Sequence, residues 1–435
     1  MEILIAFYKE ARTMKKFTKQ LRLFDTSGTL LEKFAEVCDG KDIKPTETVG
    51  ELLDFANIHA VKGNCWHYYM AYFIASDVNA FSLAFERKKA KDCALLEFAR
   101  EDCKLLMQLF DYNIASIPFV GDKASLLTNF KATEDFSVKP YADIIADFSH
   151  KLEDCNTASQ FLGEIIDFYS VYGVGDLGLN KAFRIIAQES LPDKKITHHK
   201  SQLLPITNMN KKGLADIVGY ELQKQKVIQN TEAFLDGKPA NNALLYGDMG
   251  TGKSSTVKAL MNEYYDKGLR VIEVYKHQFS FISDIISRLS GRNYKFILYL
   301  DDLSFDDFEV EYKYFKAIID GGLEVKPDNV LIYATSNRRH IIKENYSDGN
   351  DINSMDELHK SDTKNEKLSL VARFGLSVYY PSPDQQEFLN IVHELAKRYA
   401  IEIDEEKLNK QALTWAIRNG VKSGRMAEQF ILTLL

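Results

Sequence analysis

Residues 243–256 read Ala-Leu-Leu-Tyr-Gly-Asp-Met-Gly-Thr-Gly-Lys-Ser-Ser-Thr. The apolar run Ala243–Tyr246 predicts a buried strand, and the segment that begins at Lys253 has helical spacing through Val257 and Leu260. Between them stands Gly-x-x-x-x-Gly-Lys-Ser, a pattern typical of loops that hold phosphate groups. A glycine-rich turn that binds nothing is the alternative, but the strand–loop–helix context favours a phosphate loop.

The residue types in this loop suit a bound triphosphate. Glycines at 247, 250 and 252 allow the backbone to curl so that successive N–H groups point at phosphate oxygens, and the start of the following helix adds partial positive charge. Lys253 is expected to contact the β- and γ-phosphates, and the Ser254 hydroxyl to coordinate Mg²⁺. We therefore predict that ATP and Mg²⁺ bind here, in contact with Gly247, Asp248, Met249, Gly250, Thr251, Gly252, Lys253, Ser254 and Ser255.

Another apolar strand, predicted over Phe296–Leu300, ends in two carboxylates, Asp301 and Asp302. Because hard cations take oxygen ligands, Asp301 is predicted to hold Mg²⁺ directly or through water. Asp302 is predicted to activate a water molecule for attack on the γ-phosphate. A solvated turn is the alternative interpretation of adjacent carboxylates at a strand end.

Three further positions carry polar side chains suited to phosphate chemistry. Asn337 follows the predicted strand Val330–Thr335 and is expected to orient the attacking water. Arg373 precedes the predicted last strand and is placed to reach a neighbouring subunit's nucleotide. Arg425, in the terminal helical piece, is expected to fold over the phosphates and distinguish ATP from ADP. For Arg338 and Arg339, three interpretations stay open: contact with phosphate, contact with a neighbouring subunit, and exposure to solvent.

Periodicity divides the chain into four parts. Residues 1–200 show helical spacing almost throughout and predict an α-helical N-terminal domain, followed by a polar linker over 201–218. Strand and helix signals alternate over 219–383, which predicts a parallel sheet with helices on both faces. Residues 384–435 predict a small helical appendage. The sequence Gly173-Val-Gly-Asp-Leu-Gly178 matches a dinucleotide fingerprint, but it follows a helical pattern rather than a strand and is interpreted as a bend between helices.

The amino-acid composition limits the classes of protein to which the chain can belong. The 435 residues are 45% hydrophobic and 27% charged, with a net charge of −7, as in a soluble globular protein of two or three domains. The net negative charge does not indicate nucleic-acid binding, although a protein with this net charge can still contain a local basic groove. Five cysteines without Cys-x-x-Cys spacing are interpreted as free thiols, with a zinc site as the alternative. The N-terminal stretch lacks a signal peptide or membrane span, so a cytoplasmic location is expected.

Together these residues resemble an AAA+ ATPase and, more narrowly, a poorly characterised bacterial family of ATP-binding proteins of unknown function. The resemblance covers about residues 214–435. Beyond the phosphate loop it is carried by Gly219-Tyr-Glu, Asn230-Thr-Glu-Ala-Phe234, Gly237-Lys-Pro-Ala-Asn-Asn242, Asp301-Asp-Leu-Ser-Phe305, Asp328-Asn329, Thr335-Ser-Asn-Arg-Arg-His340, Glu366-Lys-Leu-Ser-Leu370 and Arg373-Phe-Gly375.

The resemblance implies a three-layer αβα P-loop core, a helical lid over 384–435 and assembly into homo-oligomers. Asp302 stands where AAA+ proteins usually carry glutamate, as it also does in the narrower family. The function predicted from this resemblance is hydrolysis of Mg-ATP, coupled to a protein client held by the N-terminal domain. One alternative is a nucleotide-gated binding module with little hydrolysis, and another is a loader or remodeller of nucleic acid.

Overall fold

A computed structural model of the chain describes residues 14–38, 45–88, 94–114, 124–133, 139, 141–187, 201–209, 212–305, 310–320, 327–337 and 372–435. The chain divides into two units, Met1–Asn180 and Lys181–Leu435. In the described ranges, no helix combines the length and the apolar character needed to cross a membrane.

The first unit is helical, as the sequence predicts. In the described part of this unit, the strand structure consists of one short antiparallel pair, β1 (Lys62–Gly63) with β2 (Phe130–Lys131). Its helices are α1 (Leu30–Cys38), α2 (Pro45–Ile58), α3 (Cys65–Ser76), α4 (Ala80–Phe85), α5 (Leu95–Phe110), α6 (Ala124–Thr128), α7 (Ala142–Glu153), α8 (Ala158–Val171) and α9 (Gly175–Leu179).

Helix α3 lies at the centre of this unit. Nine of its twelve residues are buried, because its sequence is apolar around the whole circumference and such a helix has no solvent face. The side chain of Asn64 caps its first turn by accepting hydrogen bonds from the backbone N–H groups of Trp66 and His67, which satisfies donors that a helix start leaves unpaired. Of the glycine-rich stretch, Gly173 and Val174 lie in the bend between α8 and α9, whereas the residues from Gly175 onward form α9 itself.

The second unit is built on a seven-stranded sheet in the order β4-β3-β6-β7-β8-β5-β9. Neighbouring strands are parallel except for the edge pair of β3 with β4. The strands are β3 (Ala182–Ala187), β4 (Ser201–Pro205), β5 (Ala243–Gly247), β6 (Leu269–Glu273), β7 (Lys295–Leu300), β8 (Val330–Ser336) and β9 (Leu376–Tyr380). Its helices are α10 (Glu221–Leu235), α11 (Lys253–Tyr264), α12 (Ile282–Leu289), α13 (Val310–Asp320), α14 (Gln385–Arg398), α15 (Glu405–Asn419) and α16 (Gly424–Leu432).

Strands β3 and β4 were not predicted from the sequence. The sequence-based division placed residues 1–200 in a helical domain and 201–218 in a linker. Strand β3 pairs with β6, with Phe183 opposite Ile272, and β4 pairs with β3. The first unit therefore ends at Asn180 rather than near residue 200. A short apolar run does not reveal whether it forms a strand or part of a helix, and here the pairing partner follows much later in the chain.

Both faces of the sheet are covered, as in a three-layer αβα core. Helices α10 and α11 pack on one face, where Phe234 and Leu260 join a cluster that contains Ile297 and Tyr299 of β7. Side chains of a strand alternate between faces, so Phe296 points to the other side, and it is fully buried as well. The central strands are therefore enclosed on both sides, which fits their nearly uninterrupted apolar sequences.

Helices α14, α15 and α16 form the small helical piece predicted for residues 384–435. They share a core that includes Phe388, Val392, Ala412 and Phe430. We call this piece the lid. Val218, from the connector segment (residues 212–218) that precedes α10, packs against the same core, so the lid and the start of the core domain share apolar contacts.

Candidate nucleotide-binding site

The phosphate loop joins β5 to α11 and has backbone conformations that only glycine adopts easily. Gly247 has φ +136°, and a Cβ atom there would lie 2.1 Å from the carbonyl oxygen of Tyr380 in the neighbouring strand β9. Gly250 has φ +75°. Left-handed conformations of this kind are costly for other residues. The predicted curl of the loop is thus present in the structure.

The lid touches this loop directly. The backbone N–H of Arg425, in the first turn of α16, donates a hydrogen bond to the carbonyl oxygen of Gly250 at 3.2 Å. A Cβ atom on Gly250 would lie 2.8 Å from the Ser423 hydroxyl oxygen. The absence of a side chain at Gly250 therefore allows the start of α16 to lie on the loop.

Lys253 lies within the loop and is 5% exposed. Its ammonium nitrogen donates hydrogen bonds to the carbonyl oxygens of Gly247, at 2.9 Å, and Asp248, at 2.6 Å. Burial lowers the pKa of this ammonium, and the nearby carboxylates of Asp248, Asp302 and Asp301 oppose that shift. The amine is thus held beside the inward face of the loop.

Asp301 accepts two hydroxyl hydrogen bonds on one carboxylate oxygen. Its Oδ1 lies 2.6 Å from the Ser254 hydroxyl of α11 and 2.7 Å from the Thr335 hydroxyl of β8. Burial acts to raise the pKa of Asp301, but these hydrogen bonds, together with other neighbours that include the charge of Lys258, outweigh it and the net shift is downward. The carboxylate is therefore held ionised between the phosphate loop and the sheet, which suits a cation ligand.

Asp302 is oriented by two neighbours. Its backbone has φ +51°, and its N–H donates to the Thr335 hydroxyl at 3.0 Å. The Asn337 amide nitrogen donates to Asp302 Oδ1 at 2.7 Å. Because β7 and β8 are adjacent and parallel, their carboxyl ends meet at one edge of the sheet, and the two side chains predicted from sequence meet there.

These groups line one cleft with a volume of about 730 Å³. Its polar part contains most of the predicted site residues: Met249, Gly250, Thr251, Gly252, Lys253, Ser254, Ser255, Asp301, Asp302, Asn337 and Arg425. Its other part is lined by side chains that sequence reasoning missed: Ile217, Val218, Tyr220, Ile391, Leu395 and Tyr399. A cleft lined by both apolar and polar side chains suits a ligand that carries both a flat base and phosphates.

Polar contacts join the connector segment to the lid beside the cleft. The Arg398 guanidinium of α14 donates to the backbone oxygens of Asp216 at 2.9 Å and Ala215 at 3.2 Å. Lys212 forms an ion pair with Glu428 of α16. All but Ala215 also line the cleft. Scattered side chains of this kind form no motif, so the only sequence signal near them was the Gly219-Tyr-Glu stretch.

Gly247, Asp248 and Arg373 are described by the structure but do not line the cleft. Asp248 belongs to the loop, but its carboxylate accepts a hydrogen bond from the backbone N–H of Ser382 at 2.8 Å, in the segment between β9 and the lid. Arg373 is half-buried before β9 and does not line the cleft of its own chain. Arg338 and Arg339 lie outside the described residues.

The residues present fit Mg-ATP. In the part of the chain that the structure describes, no group of three or more His, Cys, Asp or Glu side chains could hold a metal ion. Mg²⁺ is usually held by one or two carboxylates together with substrate phosphates and waters rather than by a protein cage. Asp301 and the Ser254 hydroxyl, 2.6 Å apart, are a donor set of that kind, and they line the same cleft as the glycine loop.

The carboxyl-terminal part of the chain matches a known family. Residues 193–435, more than half of the chain, match the family described as "Protein of unknown function (DUF815)". The chain belongs to this family. The phosphate loop, the two carboxylates and the lid of this DUF815 protein all lie within the matched residues. The structure confirms the predicted αβα architecture, with a phosphate loop between β5 and α11 and a small helical lid.

Individual relatives match smaller portions. A 75-residue stretch is 43% identical to the replication factor C large subunit of Staphylothermus marinus and spans 17% of this chain and 17% of that protein. Among solved structures, the Holliday junction branch migration motor RuvB of Thermotoga maritima matches 51% of this chain and 70% of its own, with 16% identity and a TM-score of 0.31. A point mutant of the same RuvB gives 15% identity and a TM-score of 0.32, over 51% and 71% of the two chains.

Proposed function

We propose that the unit Lys181–Leu435 binds Mg-ATP and hydrolyses it to ADP and phosphate. One observation carries this proposal: a continuous series of hydrogen bonds joins the start of α11, directly after the phosphate loop, to the ends of β7 and β8. It runs from Ser254 to Asp301 (2.6 Å), to Thr335 (2.7 Å), to the backbone of Asp302 (3.0 Å), and from Asp302 to Asn337 (2.7 Å). A metal ligand and a general base are thereby fixed relative to each other and to the loop.

Binding uses the loop, the start of α11 and the apolar side chains of the cleft. Backbone N–H groups of the loop and the positive end of the helix receive the phosphates, and the Lys253 ammonium adds a full charge. The base packs against Ile217 and Val218 of the connector segment and Leu395 of the lid, which line the cleft. Because the lid supplies one wall, nucleotide binding and lid position are coupled.

The chemistry is in-line attack of water on the γ-phosphorus. A bond forms between the water oxygen and phosphorus, the bond to the bridging oxygen breaks, and its electron pair leaves with ADP. The Asp302 carboxylate takes the proton of the water, while the Asn337 amide orients the reacting groups. Asp301 and Ser254 would hold Mg²⁺, which when bound would neutralise charge on the phosphate oxygens. Lys253 stabilises the charge that develops on them.

Two arginines complete the proposal. Arg425 lies at the start of the lid helix that contacts Gly250 and lines the cleft, which supports a role in sensing the γ-phosphate. Arg373 does not line its own cleft, which supports a role as a finger that acts on the nucleotide of a neighbouring copy. That role requires a homo-oligomer.

The N-terminal unit is proposed to hold a protein client. Its described part exposes several large apolar side chains, at exposed fractions between 39% and 59%: Ile58, Val78, Leu83, Phe98, Leu126 and Val171. Single exposed apolar residues are common on monomers, so the support comes from their number on one helical unit. Pull-down with the full chain, compared with a Phe98→Ser, Leu126→Ser variant, tests this part of the proposal.

The decisive experiment measures Mg-ATP binding and phosphate release by the full chain and by Lys253→Ala. The variant is expected to lose binding or turnover by at least about tenfold, since it removes the buried cation of the loop. Lys238→Ala is the matched control, because Lys238 is an exposed lysine of the same unit that pairs with Asp236. Equal activity of wild type and Lys253→Ala would overturn the assignment.

A second candidate is a nucleotide-gated binding module with little turnover. It is favoured by Asp302 itself, which is shorter than the glutamate of related ATPases and already accepts a hydrogen bond from Asn337. Micromolar ATP affinity combined with negligible phosphate release from the assembled protein would select this candidate over the ATPase.

A further inference from the structure

The helix that follows the phosphate loop contacts Asp301 twice. Ser254 and Lys258 stand four residues apart on α11 and therefore project from the same face. The Ser254 hydroxyl lies 2.6 Å from Oδ1 of Asp301, and the Lys258 ammonium lies 3.5 Å from Oδ2. Both carboxylate oxygens are thus engaged by one helix, and Lys258 was not singled out by the sequence motif.

The position of Lys258 is defined by a second contact. Its ammonium nitrogen lies 6.0 Å from the centroid of the Tyr299 ring, and Tyr299 is a buried residue of β7, two positions before Asp301. The Lys258 side chain is 49% exposed and that of Asp301 33% exposed. The pair is therefore at the edge of the cleft, partly screened by water, and its interaction is of modest size.

An ammonium and a Mg²⁺ ion compete for the same carboxylate. Mg²⁺ needs negatively charged or polar oxygen ligands, and a carboxylate already paired with a lysine attracts a second cation less strongly. We propose that Lys258 is a positioning residue that lowers the metal affinity of Asp301, so that the metal is retained only together with the triphosphate. This inference rests on the proposed binding of Mg-ATP.

The consequence is a defined change in metal affinity. Replacing Lys258 by methionine keeps the length of the side chain and removes its charge. Because exposed ion pairs have modest energies, the apparent dissociation constant for the metal in the nucleotide complex is expected to fall about two- to fivefold. Lys258→Arg keeps the charge and is expected to stay near the wild-type value.

The test uses Mn²⁺ as a paramagnetic probe together with a non-hydrolysable ATP analogue. Full-length protein is kept in excess over the analogue, so that free nucleotide does not chelate the metal, and free Mn²⁺ is followed by electron paramagnetic resonance. Lys267→Met is the matched control, because it removes one exposed positive charge that lies over Tyr264 rather than beside Asp301. Tighter Mn²⁺ binding in Lys258→Met alone supports the inference.

Two results would overturn it. Unchanged Mn²⁺ affinity in Lys258→Met would show that solvent screens the pair completely, and weaker affinity would show that Lys258 contacts the phosphates rather than competing with the metal. Failure of the proposed function has a different signature, since the wild-type chain would then bind neither the analogue nor Mn²⁺ in its presence. Thermal unfolding of each variant confirms that the fold is retained.

Discussion

The side-chain amide of Asn337 donates a hydrogen bond to Oδ1 of Asp302 at 2.7 Å, across the ends of two adjacent parallel strands. Asp302 has a left-handed backbone, with φ +51°, a conformation that costs a non-glycine residue free energy. The Thr335 hydroxyl accepts the N–H of this strained residue at 3.0 Å. The strained backbone and the two hydrogen bonds together fix the direction of a carboxylate that is one methylene shorter than glutamate.

This geometry predicts separate effects on turnover and binding when Asp302 is changed to asparagine. The variant keeps the shape of the side chain but cannot accept a proton from water, so phosphate release is expected to fall by about 10²–10⁴. ATP affinity should stay within about threefold of wild type, because the phosphate loop is unchanged. Fluorescence titration and a phosphate-release assay measure the two quantities.

Asp302→Glu is the control for the carboxylate and is expected to retain turnover. If Asp302 and Asn337 act as a pair, adding Asn337→Ala to Asp302→Asn should cause little further loss. Full phosphate release by Asp302→Asn would exclude its role as the general base and would leave Asn337 without a function in the reaction.

A second prediction concerns the contact of the lid with the phosphate loop. Gly250→Ala places a methyl group in a left-handed backbone at φ +75°, 2.8 Å from the Ser423 hydroxyl oxygen. The strain alone costs about 1–2 kcal/mol. The contact with Ser423 should also displace the start of α16, so ATP affinity is expected to fall by at least about tenfold, as measured by calorimetry.

Gly237 offers a matched control for that experiment. It has nearly the same backbone, with φ +73°, but nothing within 4 Å of an added Cβ atom. Gly237→Ala should therefore lower thermal stability by an amount close to the strain term and leave ATP affinity unchanged. Equal ATP affinity in the two variants would mean that the loop tolerates the side chain and that the lid contact does not contribute to binding.

The sequence predicted the phosphate loop, the strands next to β5 and roles for Asp302 and Asn337 toward the same water molecule; the hydrogen bond between these two side chains is seen only in the structure. These features follow from local patterns, because apolar runs mark buried strands and parallel strands end at a common edge. It did not predict β3 and β4: β3 pairs with β6, which follows much later in the chain, and β4 is an edge strand that pairs with β3.

The sequence predicted that Arg425 lies over the phosphates, but it did not predict the backbone contact of the lid with the loop. The hydrogen bond from Arg425 N–H to the Gly250 oxygen joins two backbone groups that every residue possesses, so no side chain signals it. The apolar lining of the cleft was missed for a similar reason, since Ile217 and Leu395 come from separate segments and look like ordinary core residues in the sequence.

A third prediction concerns the pH dependence of the first unit. His59 is 7% exposed, its ring lies 4.0 Å from that of Phe55 and 4.9 Å from that of Tyr72, and Tyr68 and Tyr141 also face it. Burial, assisted by the charge of Lys139, lowers the pKa of His59 from 6.5 to about 4. Between pH 6.5 and about 4, the unfolded chain therefore binds a proton at His59 that the folded chain does not bind.

The sign of the effect follows from that difference. Stability rises with pH where the unfolded state binds more protons, so the contribution of His59 is complete above pH 6.5 and is lost as the pH falls towards 4. The expected loss is about 3 kcal/mol. Trp66 is buried in this unit and reports its unfolding by fluorescence when Trp415, the second tryptophan, is replaced by phenylalanine.

His59→Phe is the control variant, because it preserves the aromatic contacts and removes the titrating group. It is expected to flatten the dependence of the unfolding free energy on pH between 6.5 and 4. An unchanged slope in His59→Phe would assign the acid sensitivity to other groups.

The last prediction concerns Arg373, which is half-buried before β9 and does not line the cleft of its own chain. If it reaches the nucleotide of a neighbouring subunit, Arg373→Ala should bind ATP normally and lose turnover by about 10³–10⁵.

Mixing two inactive variants then separates action within one chain from action between chains. A subunit with Arg373→Ala keeps its Asp302, and a neighbour with Asp302→Asn supplies the missing arginine. In an equal mixture of the two, roughly a quarter of the sites should be complete, so phosphate release should recover well above either variant alone. Light scattering shows whether mixed oligomers form, and mixed oligomers without recovered activity would rule out an action of Arg373 across the subunit interface.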